Sequence, residues 1–287
     1  MYKNILPGLL FAVLWASGSV VVKFGILSAD ALLLACIRFI CTGLIFAPLL
    51  LLQRKYRFWP KGTEWKNILV YGLLNTTLTL GSFFAAQKFV SAGIGMLFLA
   101  VAPLIIALFS ALFLNRRLTG MEVTGMLIAF SGLVLASATG MADAHISVLG
   151  IILLLLYITS YAISSIYFST LKLSMSNIVF NVWQVFIGGI ILLPFCWVFS
   201  QANIKHVDAN LFLSLAWMIV VLSFIANQLW LYLVKTDPVK AAGWLYLTPV
   251  FGYLYSYLLL GEKITIYAIA GTAMVIGGLV LSKRSKT

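Results

Sequence analysis

AVAPLIIALFSALFLNRRLT, residues 100–119, and YLTPVFGYLYSYLLLGEKIT, residues 246–265, are two versions of one segment. Pro103 and Pro249 stand 146 residues apart. The same offset carries Leu118-Thr119 onto Ile264-Thr265, Gly125 onto Gly271, and Gly132-Leu133-Val134-Leu135 onto Gly278-Leu279-Val280-Leu281. Upstream it carries Arg38 onto Gln184, Gly43 onto Gly189 and Pro48 onto Pro194. The chain holds only 7 prolines, so two proline pairs at one offset argue for duplication. The expected units are residues 1–139 and 148–287.

Composition decides the solvent. Of 287 residues, 63% are hydrophobic and 9% charged, and the mean hydropathy is +1.09. A water-soluble domain carries about 25% charged residues to solvate its surface. A helix crossing the hydrocarbon core needs about 20 mostly apolar residues. The apolar runs predict ten spans, near 5–26, 31–53, 66–87, 91–114, 120–138, 148–170, 177–199, 211–234, 240–260 and 264–282. The first run is long and followed by nine more, so it reads as a span and not a cleaved signal. Cys36, Cys41 and Cys196 all fall inside predicted spans and read as small apolar packing residues.

The net charge of +12 is explained by its placement. With the N-terminus cytoplasmic, most Lys and Arg residues fall in inner loops, including Arg116 and Arg117. Only Lys88, Lys205 and Lys263 are outside, and Lys23 and Arg38 are within spans. That asymmetry is the positive-inside rule; it puts both termini in the cytoplasm and removes the reason to expect nucleic acid. Five spans per copy then force the second copy into the membrane upside down. Arg116-Arg117 is accordingly inside and its mate Glu262-Lys263 outside. Inverted repeats recur in secondary transporters, with the substrate site near the midplane between the halves.

Several of these features resemble one family. LWASGSVVVKFG (Leu14–Gly25), CIRFICTGLIFAP (Cys36–Pro48) with its arginine, and the paired Pro and Gly-Leu-Val-Leu segments resemble the EamA-type branch of the drug/metabolite transporter superfamily. The resemblance spans essentially the whole chain. It implies a ten-helix carrier of the bacterial inner membrane, often an exporter of amino acids or other small metabolites. The family often has an acidic residue after the apolar run in both halves. Here the first half has Arg116 and only the second has Glu262.

Candidate site residues follow from polarity at membrane depth. Trp15, Ser19 and Val22 share a helical face beside Gly18, a face suited either to lining a cavity or to close helix packing. Lys23 lies near the outer end, where it can snorkel to the interface or meet a substrate carboxylate. Arg38 sits deeper, where a charge needs a partner or water; it reads as a gating or structural charge, or as a substrate contact. Asn75, Thr79 and Ser82 form a polar stripe on span three, and Ser223, Asn227 and Trp230 repeat the spacing on span eight beside Gln228. Unpaired amides in hydrocarbon are costly, so both stripes should face protein or water. Tyr157, Tyr161, Ser164 and Phe168 on span six, and Trp244, Thr248, Phe251 and Tyr255 on span nine, offer aromatic walls with polar tips. Trp244 and Tyr255 lie near helix ends and read as interface anchors. Pro103 and Pro249 fall in the middle of spans four and nine, so kinks serving as hinges are expected.

Absences bound the chemistry. Asp30, Glu64, Glu122, Asp143, Asp208, Asp237 and Glu262 all lie at span ends or in loops, and His145 and His206 in outer loops. There is thus no intramembrane carboxylate or histidine for proton relay. The small drug-efflux relatives in the superfamily depend on a glutamate in their first span, which this chain lacks. HExxH, GxSxG, Walker and Cys/His metal patterns are absent, so neither an enzyme, a metal nor a cofactor is expected. The sequence therefore predicts a carrier of a small, partly apolar metabolite, working by alternating access as a monomer or dimer whose partners are that metabolite and the bilayer. A non-transporting receptor or scaffold is the rival class, and a multidrug efflux carrier the rival within transporters.

Overall fold

The computed structural model describes residues 5–53, 59–90, 98–99, 101–114, 117–142, 147–200, 202–261 and 266–284. Arg116, Asp143, His145, Glu262 and Lys263 lie outside the described residues. Six helices are long and apolar enough to cross a membrane: α1 (Ile5–Ser28), α2 (Ala31–Leu51), α3 (Thr63–Ala86), α6 (Val148–Thr170), α7 (Asn177–Phe199) and α8 (Ala209–Thr236). Between them lie α4 (Ala102–Phe113) and α5 (Gly120–Ala142). After α8 come α9 (Pro238–Ala242), α10 (Thr248–Leu260) and α11 (Ile266–Arg284).

Two expected features are corrected here. The run 240–260 is not one helix, because α9 and α10 are separated by a tight 3-10 turn at Leu245–Leu247. Pro103 and Pro249 do not kink helix interiors either; they occupy the first turns of α4 and α10. A first-turn residue has no intrahelical carbonyl to donate to, so the missing N–H of proline costs nothing there. Both prolines start helices.

The acidic residues share one local role. Asp30, Asp208 and Asp237 cap α2, α8 and α9, accepting from the amides of Leu32, Leu211 and both Val239 and Lys240. Glu122 accepts from Thr119 N at 3.2 Å while Thr119 Oγ1 accepts from Glu122 N, a reciprocal capping box. Glu64 reaches back to Lys61 N at 2.8 Å and accepts from Ser174. Each neutralises orphan donors at a helix start.

Helices α3 and α8 both widen midway into π-helical turns, at Gly72–Leu80 and Met218–Ala226. Those segments stand 146 residues apart at both ends, the offset of the sequence repeat. π turns are rare in helices and concentrate at functional sites.

Packing also pairs equivalent positions. In α5 and α11 glycine meets backbone: a Cβ on Gly132 would lie 2.6 Å from Gly271 O, and one on Gly278 would lie 2.4 Å from Gly125 O. Helices α2 and α7 meet through Gly43 against Phe186 and Gly189 against Phe39. Lipid tails are as apolar as leucine, so small residues that admit close backbone approach hold such helices together. Helix α1 packs on α8 and α10, and α6 packs on α3 and α4, the same arrangement with the halves exchanged. Leu44, Phe113, Trp197 and Leu213 remain exposed on the outside, an apolar surface suited to acyl chains.

Candidate functional site

A cavity of about 30 Å³ lies where both halves converge. Trp15 and Ser19 of α1, Arg38 of α2 and Phe83 of α3 line it from the first half; Tyr157 of α6 and Leu222 of α8 line it from the second. That is room for about two waters. Small-molecule sites are typically about 300–1,000 Å³, so a metabolite enters only if the helices separate.

Arg38 is the charged member, and only 3% of it is exposed. Its Nε donates to Ser223 Oγ at 2.7 Å, across to α8. The guanidinium carbon lies 5.1 Å from the Phe39 ring centre and 5.7 Å from that of Phe84, within cation–π range. Among the described residues no carboxylate pairs with it. Lys23 is engaged differently: Nζ donates to Gln87 O at 3.0 Å and Val90 O at 3.2 Å, carbonyls just beyond α3. A cation there satisfies the orphan acceptors of a helix end.

Beside the cavity runs a buried hydrogen-bond network. Thr76 donates to Gln184 Oε1 at 2.8 Å, and Gln184 Nε2 donates to Asn181 Oδ1 at 3.0 Å. Asn227 Nδ2 donates to the same Asn181 oxygen at 2.7 Å. Asn181 Nδ2 in turn donates to Ser223 O at 3.1 Å and Phe224 O at 3.4 Å, inside the π segment of α8. In the π segment of α3, Thr79 donates to Leu74 O at 2.7 Å. Turns that bond i to i+5 shift carbonyls off the regular ladder, and these side chains supply donors to them.

Four of the aromatic candidates form one cluster with Phe11. Phe11 stacks with Trp230 at 5.0 Å, Trp230 with Tyr161 at 5.0 Å, and Tyr161 meets Tyr157 at 6.2 Å. Trp15 packs on Phe11 at 5.5 Å and lines the cavity together with Tyr157. Tyr71 Oη, Asn75 Nδ2, Tyr161 Oη, Asn227 Oδ1 and Trp230 Nε1 are buried without a hydrogen-bond partner among the described residues. Leaving such a group unsatisfied costs about 1–3 kcal/mol each.

Of the residues singled out from the sequence, Trp15, Ser19, Arg38 and Tyr157 thus come together at the cavity. Tyr161 and Trp230 join the adjacent aromatic cluster, while Asn75 and Asn227 each keep a buried amide atom unpaired among the described residues. Ser82 is buried on α3 without lining the cavity. Thr79 and Thr248 spend their hydroxyls locally, the latter on Leu245 O at 2.7 Å. Trp244 packs directly over Gly8, and Tyr255 donates to Val13 O at 3.2 Å, so both tie α1 to the region of α10. Pro103 and Pro249 sit at helix starts apart from the cavity. Asn181 was missed from sequence, although it precedes Gln184 by one helical turn, and Gln184 is the repeat mate of Arg38.

An all-helical apolar bundle with a charged cavity between related halves defines a multi-pass membrane protein with a polar interior. Its family is equally plain. The model of the EamA-like transporter family matches residues 3–138 and again residues 148–284, and the chain belongs to that family. It is similar to an uncharacterized transporter of Archaeoglobus fulgidus, 24% identical over 95% of each chain. It is similar to the uncharacterized inner membrane transporter YedA of Escherichia coli, 25% identical over 98% of this chain and 92% of that one. A probable amino-acid metabolite efflux pump of Escherichia coli is 25% identical over 98% of this chain and 94% of that one. A crystal structure superimposes with a TM-score of 0.81 over 99% of each chain at 17% identity, a likeness of fold. The protein is a multi-pass inner-membrane transporter.

Proposed function

We propose that the protein is a secondary carrier exporting a small amphipathic metabolite, an amino acid or similar compound, by alternating access of the central cavity. In this reading ten membrane-crossing segments form two inverted five-helix halves, residues 1–139 and 148–287, with both termini cytoplasmic. The observation that carries it is the cavity lined jointly by Trp15, Ser19 and Arg38 of one half and Tyr157 and Leu222 of the other. A site built from both halves opens to one side or the other when they rock. The buried groups of Asn75, Asn227 and Trp230, unpaired among the described residues, are further donors and acceptors that a widened cavity could offer a guest. The π segments, more than the prolines, are the places where bending costs least, since their carbonyls already rely on side-chain donors. The name of the amino-acid metabolite efflux relative agrees with the substrate class.

The test is efflux from proteoliposomes preloaded with amino acids, nucleosides and sugars, read by mass spectrometry, with and without a pH step. Wild type should lose one compound class, and Asn227→Leu should lose at least about tenfold in rate, because it removes the polar amide that joins α8 to Asn181. If wild type and variant retain the whole pool under both conditions, the carrier reading fails.

A further inference from the structure

We infer that the cavity selects an organic monoanion with an apolar body over the matching zwitterion or cation, with Arg38 receiving its carboxylate. This rests on the carrier reading of the same cavity and replaces the amino acid of that reading by an amphipathic carboxylate that lacks the ammonium group. Arg38 is almost wholly buried, lines the cavity, and bonds a described residue only through Nε, to Ser223 Oγ. The other two nitrogens of its planar fork have the geometry that grips a carboxylate through two parallel bonds. A buried charge without a counter-ion is costly, and an arriving anion offsets that cost.

Nothing comparable awaits an ammonium group. Among the described residues none that lines the cavity is acidic. All 7 carboxylates of the chain lie at the ends of the predicted spans or in loops, and Asp30, Glu64, Glu122, Asp208 and Asp237 are engaged at helix starts. Lys23, one turn beyond Ser19 on α1, adds charge of the same sign near the site. A cation therefore adds to an uncompensated charge, a zwitterion leaves its ammonium unmatched, and a monoanion closes the balance. Trp15, Phe83 and Tyr157 then bury the apolar body.

The test holds the body constant and varies only charge. Purified full-length protein in detergent micelles is titrated calorimetrically with indole-3-lactate, tryptophan and tryptamine. A second series uses 2-hydroxy-4-methylpentanoate, leucine and 3-methylbutylamine. The anion should bind at least about tenfold more tightly than its zwitterion in one series or both, the scale of a charge-assisted bidentate pair. Arg38→Gln installs the residue that the second half carries at the equivalent position, and it should erase the preference. Arg38→Lys should retain the preference with weaker binding, since it keeps the charge and loses the fork. Equal binding within both series, a tighter zwitterion, no binding of any of the six, or an unchanged preference in Arg38→Gln overturns the inference. Should Arg38→Gln aggregate, the ranking on wild type and Arg38→Lys decides alone. Efflux of zwitterions without anion preference would sink the charge selection and leave the carrier standing, whereas the absence of all efflux sinks the carrier.

Discussion

The π segments of α3 and α8 occupy the same repeat position, yet they are held in different ways. In α3 the widened turn is closed largely from within, by Thr79 on its own Leu74 O, and Thr76 and Thr77 point outward to α7. In α8 the closing donor comes from another helix, Asn181 of α7, and the serine beside it receives the charged Arg38 of α2. Duplication thus preserved the backbone device while the side chains diverged. One segment became a neutral clasp and the other the seat of the cavity arginine, Arg38. The asymmetry teaches that symmetry sets where the chain can bend, and single substitutions set what the site binds.

Breaking each segment in turn should expose that difference. Asn181→Leu removes the donor to α8 and strands the amides of Asn227 and Gln184 together, at about 1–3 kcal/mol for each buried group left unpaired. Thermal unfolding in detergent should fall furthest for this variant. Gly278→Val at the α5–α11 contact drives a side chain into Gly125 O and Ala129 N, so about 1–3 kcal/mol is expected from overpacking, read by the same melt. That loss should leave ligand preference untouched, because the contact lies apart from the cavity. Thr79→Val should cost less, about 1 kcal/mol, since only one local bond to Leu74 O is lost. If Thr79→Val proves as damaging as Asn181→Leu, the contrast between the segments collapses.

The smallest effect concerns the loop between α1 and α2. Burial raises the Asp30 carboxyl, but hydrogen bonds from Lys88 and Ser200, the nearby Lys88 charge and the Leu32 amide together hold it below its ordinary value. A depressed carboxyl contributes stability that is present above the unfolded value of about 3.9 and lost as pH falls through the folded one. Melting of wild type should therefore decline below about pH 4 more steeply than that of Asp30→Asn. Parallel declines would show the contact to be idle.

Much of this molecule is written locally. A 63% hydrophobic chain with 9% charge has to sit in lipid, and the 146-residue offset of Pro103 and Pro249 marks the duplication without any coordinates. The residues that gather at the cavity from α1, α2 and α6 were also legible, because a tryptophan, an arginine or a tyrosine in an apolar run needs an explanation in itself. The π turns were not legible, since widening a helix depends on which neighbours offer donors to the displaced carbonyls. Nor was the place of the prolines, because a helix start and a kink need the same residue and differ only in what precedes it. Asn181 was overlooked for a related reason: on its own helix it is one of a few amides in an apolar run, and its importance lies in the bonds it makes to α8 and, through Gln184, the link to α3. Composition and periodicity, which act within a segment, determined solvent, repeat and candidates. Hydrogen bonds between segments, which depend on packing in three dimensions, decided which candidates share a site and which charge faces it.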